Sequence, residues 1–285
     1  GSDAAVVELV KAVPGLQALS VHNSAVTDAA FAEIAKLAEL KSLKMFSTKV
    51  TPAAMAHVAR LTKLQSLDVS STAIGDAGLE AIKGLPALRS LWFNNMKGVT
   101  RKGVAAIAAL PKLDNLVIQF SEINAEIDEL AKAPALSELT VMASTLDDVG
   151  GQHLGKLSHL RGLFVWKTKI TDKSMKAIAS LPKLQTLYLN DTGITDAGLK
   201  LLAQTPTLQT LWLDGTTIGD AGVAALTKLP KLSWIKMDGT KVTDKGLAAL
   251  AGMPGLTSVG VAKTAVTDVG IAKFKEKSPK ARVSK

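Results

Sequence analysis

A segment of about 24 residues recurs eleven times along the chain, and each copy carries the frame L-x-x-L-x-L-x-x-T-x-I. The frame opens at Leu16, Leu40, Leu64, Leu88, Leu113, Leu136, Leu160, Leu184, Leu208, Leu232 and Leu256. A unit this short cannot bury its apolar face alone. It must stack on copies of itself, so the period dictates a solenoid. The repeat overrides the one or two globular domains that 285 residues would otherwise imply. It predicts a single elongated domain over 1–285, with an N-terminal half-repeat at 3–15, repeats over 16–266, and a C-terminal cap and basic tail at 267–285. Asp3, Val7, Val10, Val13 and Pro14 carry the half-repeat, read as a helix in register with those that follow.

The clearest copy runs from Leu184 to Thr207. Alternation puts Leu187 and Leu189 inward and Tyr188 outward on a short strand. Thr192 then turns in and Ile194 buries again. Thr195 reads as a helix N-cap, with Asp196 in the first turn where the helix dipole favours an anion. Equivalent caps fall at Thr27, Thr51, Thr100, Asn124, Asp147, Thr171, Thr243 and Thr267, and Pro52 suits the first helical position after Thr51. Leu199 and Leu202 form the buried helix face, and Pro206 ends the helix. Strand, turn, short helix and return make one right-handed coil with parallel strands. Strands stack closer together than helices do, so the sheet is expected to line the inside of a curve. A second ladder, Ser24, Thr48, Thr72, Ser121, Ser144, Thr168, Thr192, Thr216, Thr240 and Thr264, is expected to satisfy backbone groups of neighbouring turns.

Two stretches depart from the period. Leu88 to Leu113 spans 25 residues and Leu113 to Leu136 spans 23, placing an insertion near Asn95–Gly98 and a deletion near Asn124–Ile127. The following helix carries Gly150-Gly151, a weak helix former. These central coils are expected to be less regular.

Composition narrows the function classes. No apolar run approaches the ~18 residues of a membrane span, so no membrane insertion is expected. The absence of cysteine excludes disulfides and thiolate chemistry, and suits either redox compartment. No export signal opens the chain, but Gly1-Ser2 reads as a cloning scar that could have replaced one. Compartment is therefore left open, with an exported or cell-surface location favoured over a cytoplasmic one. A net charge of +9 invites a nucleic-acid reading. Against it, Lys112, Lys183 and Lys231 sit singly at equivalent positions of repeated LPKL pieces, and the densest basic stretch, Lys273–Lys285, reads as a solvated end. No nucleic-acid partner is expected.

The repeat frame, with its "ITDAGL" and "LPKL" phrases, resembles the leucine-rich repeat family over almost the whole chain. It is most similar to a bacterial form of the cysteine-containing subclass, with Thr or Ser in place of the cysteine. No F-box segment is present, so a ubiquitin-adaptor role does not carry over. The resemblance implies an α/β fold: a right-handed horseshoe solenoid of eleven repeats of about 24 residues, with a parallel β-sheet on its concave face and short helices on its convex face. It also implies that the concave sheet binds a macromolecular partner.

The aromatic residues locate that partner more closely. Within each strand, offsets 2, 4, 6 and 7 from the opening leucine should face the concavity or its rim. Eight of the eleven aromatic residues fall there, namely Phe46, Trp92, Phe120, Phe164, Trp166, Tyr188, Trp212 and Trp234, which leaves Phe31, Phe93 and Phe274 for the core. Strand propensity alone favours aromatics on a pleated surface, but no element of the chain is available to cover these rings. Phe164, Tyr188 and Trp212 share one column on adjacent strands, flanked by Trp166 and Trp234. Five such residues, at ~150–250 Å² each, would offer an apolar area of the order of one side of a protein interface. Lys167, Asn190, Asp191, Asp214, Lys236 and Asp238 would orient a partner. Asp214 and Asp238 stand in register, where like charges repel unless a cation or a cationic side chain intervenes; each also precedes glycine in a turn-forming "DGT".

The expected function is a non-catalytic recognition module for a protein or peptide, acting as a monomer. Carbohydrate binding on the same surface and a structural spacer role in a larger surface protein are the alternatives. An enzyme is not expected. Asp214 and Asp238 have equivalent settings on an open surface, none of His22, His57, His153 or His159 joins the aromatic cluster, and no phosphate loop, metal motif or cofactor site is apparent.

Overall fold

The computed structural model describes residues 1–285. It forms two compact units, Gly1–Thr140 and Val141–Lys285. Each repeat contributes one short strand and one helical turn, as the frame requires.

In the first unit, helices α1 (Asp3–Ala12), α2 (Phe31–Ile34), α3 (Pro52–Val58), α4 (Gly75–Ile82) and α5 (Arg101–Ala108) alternate with strands β1 (Ala18–Ser20), β2 (Ser42–Lys44), β3 (Ser66–Asp68), β4 (Ser90–Trp92) and β5 (Asn115–Gln119). These strands pair in parallel in chain order. Strand β6 (Glu138–Met142) falls at the boundary. In the second unit, α6 (Asp148–Leu154), α7 (Asp172–Ala179), α8 (Asp196–Leu202), α9 (Asp220–Ala225), α10 (Asp244–Ala249) and α11 (Asp268–Lys277) alternate with β7 (Gly162–Phe164), β8 (Thr186–Tyr188), β9 (Thr210–Trp212), β10 (Trp234–Lys236), β11 (Ser258–Gly260) and β12 (Arg282–Ser284). Strands β7 to β12 also pair in parallel in chain order. The register advances by one whole repeat per strand, so Leu163, Leu187, Leu211, Ile235, Val259 and Val283 form one row.

The inward register follows the frame. Leu187, Leu189, Ile194, Leu199 and Leu202 are all fully buried, as are their counterparts in neighbouring repeats. Phe31, Phe93 and Phe274 lie in the core, as their positions predict. In α1 the buried pair is Val6 and Val10; Val13 is exposed and Val7 is only partly covered.

Helix starts are also where the sequence puts them. Thr27, Thr51, Thr100, Asp147, Thr171, Thr195, Thr243 and Thr267 each accept a backbone N–H from the first turn. Asn124 is an exception: its side chain makes no capping bond, and a 3₁₀ segment, Ala125–Lys132, replaces the helix. With one residue fewer in that repeat, the 3₁₀ form covers the distance with less chain, because it rises ~2.0 Å per residue against ~1.5 Å in an α-helix. Conversely, Gly150 and Gly151 do not loosen α6, which is a regular helix of 7 residues. The glycine is a packing requirement there, because a Cβ at Gly151 would stand 2.1 Å from Ser174 Oγ of the next repeat.

The hydroxyl ladder works differently from the sequence expectation. Ser24, Thr48, Thr72, Thr168, Thr192, Thr216, Thr240 and Thr264 donate to the carbonyl three residues earlier in their own turn, at 2.5–3.2 Å. Only Ser121, next to the deletion, reaches across to the preceding repeat, donating to Phe93 O at 3.3 Å. The ladder therefore closes the strand-exit turn, whose next-to-last residue bends back. That residue is left-handed even where it is not glycine, as at Phe120, Lys167 and Asp191 (φ 51°, 54° and 53°).

The repeats are joined instead by a clasp that the sequence does not announce. The first-turn aspartate of one repeat accepts both the amide and the hydroxyl of the next repeat's capping threonine, at 2.5–2.9 Å. The pairs are Asp3–Thr27, Asp28–Thr51, Asp76–Thr100, Asp148–Thr171, Asp172–Thr195, Asp220–Thr243 and Asp244–Thr267. A Cβ on Gly103, Gly198, Gly246 or Gly270 would collide with the clasping carboxylate of the preceding repeat, which explains the glycine three residues after the capping threonine in these repeats. Burial works against ionised Asp148, but hydrogen bonds from Ser174 and Thr171 outweigh it and hold the carboxyl below its ordinary value of 3.8. A folded-state pKa below the unfolded one contributes stability above the unfolded pKa, lost as pH falls through the folded one. Asp148→Ala should therefore lower stability at pH 7 by about 1–3 kcal/mol, with a gap that narrows below pH ~3.8. Thermal midpoints at pH 7 and pH 3 measure this; an equal gap at both would refute the clasp's role.

Candidate functional site

Strands β7 to β10 bring five of the sequence-predicted aromatic residues together on the sheet face opposite the helices, all within the second unit. Phe164, Tyr188 and Trp212 are register partners, and Lys236 continues their column on β10. Trp234 stands one column over, paired with Thr210. The rings touch in sequence. Phe164 meets Tyr188 edge-on at 4.8 Å, Tyr188 stacks on Trp212 at 4.1 Å and 3°, and Trp212 meets Trp234 edge-on at 5.4 Å. Trp166 lies 6.4 Å from Phe164 and 6.2 Å from Tyr188.

These rings stand outside the core yet are partly covered by one another. Trp234 is 43% exposed, while Phe164, Trp166, Tyr188 and Trp212 are half-buried. The free apolar area is therefore smaller than five independent side chains would offer. Mutual packing also fixes the rings, which lowers the entropy lost when a partner lands on them. Burial pushes the Tyr188 phenol above its usual value. The Trp212 indole N–H and the Asn190 amide oxygen are buried without a hydrogen-bond partner.

The polar residues beside the rings form a closed network. Lys236 Nζ lies 2.9 Å from Asp214 Oδ2 and 3.0 Å from Asp238 Oδ2, so a cationic side chain of the protein relieves the repulsion between the two carboxylates. Asp214 also accepts Asn190 Nδ2 at 3.0 Å and the Asp238 amide at 2.8 Å, and Asp238 accepts the Ala262 amide at 2.8 Å. The hydrogen bond to Asp214 raises the Lys236 pKa, against partial burial and with help from Asp238. The same ammonium lies 5.4 Å from the Trp212 ring centroid, a cation–π contact. Its stem lies over Gly260, where a Cβ would approach Lys236 Cγ to 2.7 Å. Lys167 and Asp191 are exposed at their strand exits, with the Asp191 carboxylate lying against Gly215 of the next repeat.

The remaining predicted residues lie elsewhere, in the first unit. Phe46 stacks on His22 at 4.6 Å, Trp92 ends β4, and Phe120 is 59% exposed because its left-handed backbone turns the ring outward. Sequence reasoning also missed the last strand, β12, formed by Arg282, Val283 and Ser284 within the stretch read as a solvated end. The frame is lost there because Lys280 stands where the opening leucine would fall, and only Val283 preserves the inward position. No group of His, Asp or Glu residues is arranged to hold a metal ion, and no helix is long and apolar enough to cross a membrane.

Comparison with known proteins agrees with this architecture. A family described as Leucine Rich repeat matches residues 60–83, 180–203 and 204–226. Among solved structures, the chain is similar to an internalin (inlF) from Listeria monocytogenes, at 17% identity and a TM-score of 0.66, covering 99% of this chain and 92% of that one. It is also similar to an internalin C2 (inlC2) from the same organism, at 24% identity and a TM-score of 0.55, covering 75% of this chain and 92% of that one. A comparison with curated protein sequences finds no significant match. The family match over three repeats and the shared fold agree on a leucine-rich repeat architecture.

Proposed function

We propose that the chain is a non-catalytic recognition module that binds a protein or peptide through the aromatic strip of β7 to β10. The observation that carries this reading is the unbroken run of ring contacts from Phe164 to Trp234 on a sheet face that no helix or loop covers. Contiguous exposed aromatic surface is costly on a monomer and marks interaction sites, and Trp and Tyr dominate the binding energy of protein interfaces. The occupied state of Asp214 and Asp238 favours a protein over a sugar: both carboxylates already accept from Lys236 and from backbone amides, which leaves few free groups for sugar hydroxyls. The same pairing argues against catalysis, because both carboxylates are already held by Lys236 and by backbone amides.

Selection of a displayed random-peptide library on the intact chain, in parallel with a glycan array, tests the reading. Enriched peptides that no longer bind Trp234→Ala support it. Glycan capture without peptide enrichment would favour carbohydrate binding, and silence in both assays would favour a spacer role.

A further inference from the structure

Beyond Trp234 the sheet face opens into a hollow of about 420 Å³ lined by Thr210, Ser233, Trp234, Thr257, Ser258 and Arg282. Its origin is in the register. Trp234, Ser258 and Arg282 are partners across β10, β11 and β12, so a serine separates an indole from a guanidinium. In the next column Gly260 stands between Lys236 and Ser284. Two small residues in a row leave space between two large ones, about 10 Å apart at the backbone given a strand spacing of ~4.8 Å.

The chemistry of the lining is one-sided. Ser233 and Thr257 spend their hydroxyl protons on the carbonyls of Gln209 and Ser233, at 3.1 and 2.9 Å. The Thr210 and Ser258 hydroxyls make no hydrogen bond within the chain, and the Arg282 guanidinium has neither a hydrogen bond nor an ion pair. No carboxylate lines the hollow. Unused donors and a cation therefore face inward beside the exposed indole face of Trp234, a setting for an anionic group carried on an apolar stem. Guanidinium matches a carboxylate in shape and can bond it with two parallel N–H groups.

The wider field points the same way. The Val141–Lys285 unit holds 20 Lys and Arg against 11 Asp and Glu, whereas Gly1–Thr140 holds 14 of each, so the whole net charge of +9 belongs to the unit that carries the strip. Most of those acids are already engaged in bonds to the cap residue of the next repeat or with Lys236. An acidic partner is drawn to such a surface and a basic one repelled.

We infer that the partner is an acidic protein segment, and that an Asp or Glu side chain of it seats in this hollow against Arg282 while neighbouring apolar residues cover Trp234 and Trp212. The inference rests on the peptide-binding reading above and adds to it the charge of the partner and one anchoring residue, Arg282, on the last strand.

The test uses the same displayed random-peptide library on the intact chain. Enriched sequences should carry Asp or Glu beside Trp, Phe or Leu, and should bind Arg282→Gln about tenfold or more weakly. Arg282→Glu should select Lys or Arg in their place. Arg282 is exposed, so both variants should keep the wild-type thermal midpoint; Ser258→Phe, which fills the hollow and leaves the charge, gives an independent block. Enriched peptides without acidic residues, or equal binding by Arg282→Gln, overturn the inference. If such peptides still require Trp234, the peptide-binding reading stands without it. Absence of any peptide enrichment overturns both, as does capture of a heparin oligosaccharide in place of peptides.

Discussion

Leu211→Ala should lower the thermal midpoint by roughly 5–15 °C, the consequence of a loss of about 2–5 kcal/mol in a unit of this size. Leu211 is fully buried at the centre of β9, between Leu187 and Ile235 on adjacent strands. Shortening it removes apolar contact with both neighbouring turns, and the stack has no freedom to close over the gap, because the backbone spacing is held by strand pairing on one side and on the other by the Gly219 amide on Asp196 and the Asp220–Thr243 clasp. In a repeat array each unit feels chiefly its nearest neighbours. Hydrogen exchange should therefore quicken first in repeats adjoining β9. Trp234→Ser, one column away on the open face, is the control and should leave the midpoint nearly unchanged. A Leu211→Ala variant that melts like the wild type would mean that the strand parity is reversed.

Replacing Trp212 and Trp234 together with alanine should abolish most binding to a peptide selected on the intact chain. A hot-spot indole contributes about 2 kcal/mol or more, so two of them correspond to a loss of roughly a thousandfold in affinity. The two residues are not equivalent for the fold. Trp212 is stacked against Tyr188 and lies under the Lys236 ammonium, and an aromatic pair of this kind adds about 0.5–1.5 kcal/mol beyond its area. Some thermal destabilisation is therefore expected from Trp212→Ala and very little from Trp234→Ala, whose ring projects at the end of the row. Phe46→Ala removes a ring from the first unit that is stacked on His22 and should leave affinity unaltered. Undiminished binding by the double variant would remove the strip from consideration as the site.

Much of the architecture was legible in the chain because a repeat writes the same short-range instructions many times. Leu187, Tyr188 and Leu189 alternate in and out because successive strand residues must face opposite ways. The threonine caps were legible because an N-cap is satisfied within a few residues of itself. The failures occur where the governing contact spans repeats or where the pattern lapses. Gly150 and Gly151 suggested a weak helix by propensity, but Gly151 is small to admit Ser174 of the next turn. The tail suggested a solvated end because Lys280 broke the frame, yet Arg282–Ser284 still completes the exposed edge of β11. Unpaired strand edges recruit whatever chain is at hand.

At the candidate site the sequence by itself determined which side chains leave the core, since parity along a strand is a local property that no neighbour can reverse. It could place Phe164, Tyr188 and Trp212 in one column and Asp214 beside Asp238. Only the tertiary structure decided what those columns do to each other. Whether the carboxylates repel or are bridged depends on the length and rotamer of Lys236, whose stem packs beside Gly260 while its ammonium reaches them both. Whether the rings stand apart or stack depends on torsions about bonds that periodicity does not constrain. Contacts between residues one repeat apart are set by side-chain geometry across a gap of ~4.8 Å, and a one-dimensional pattern carries no information about that.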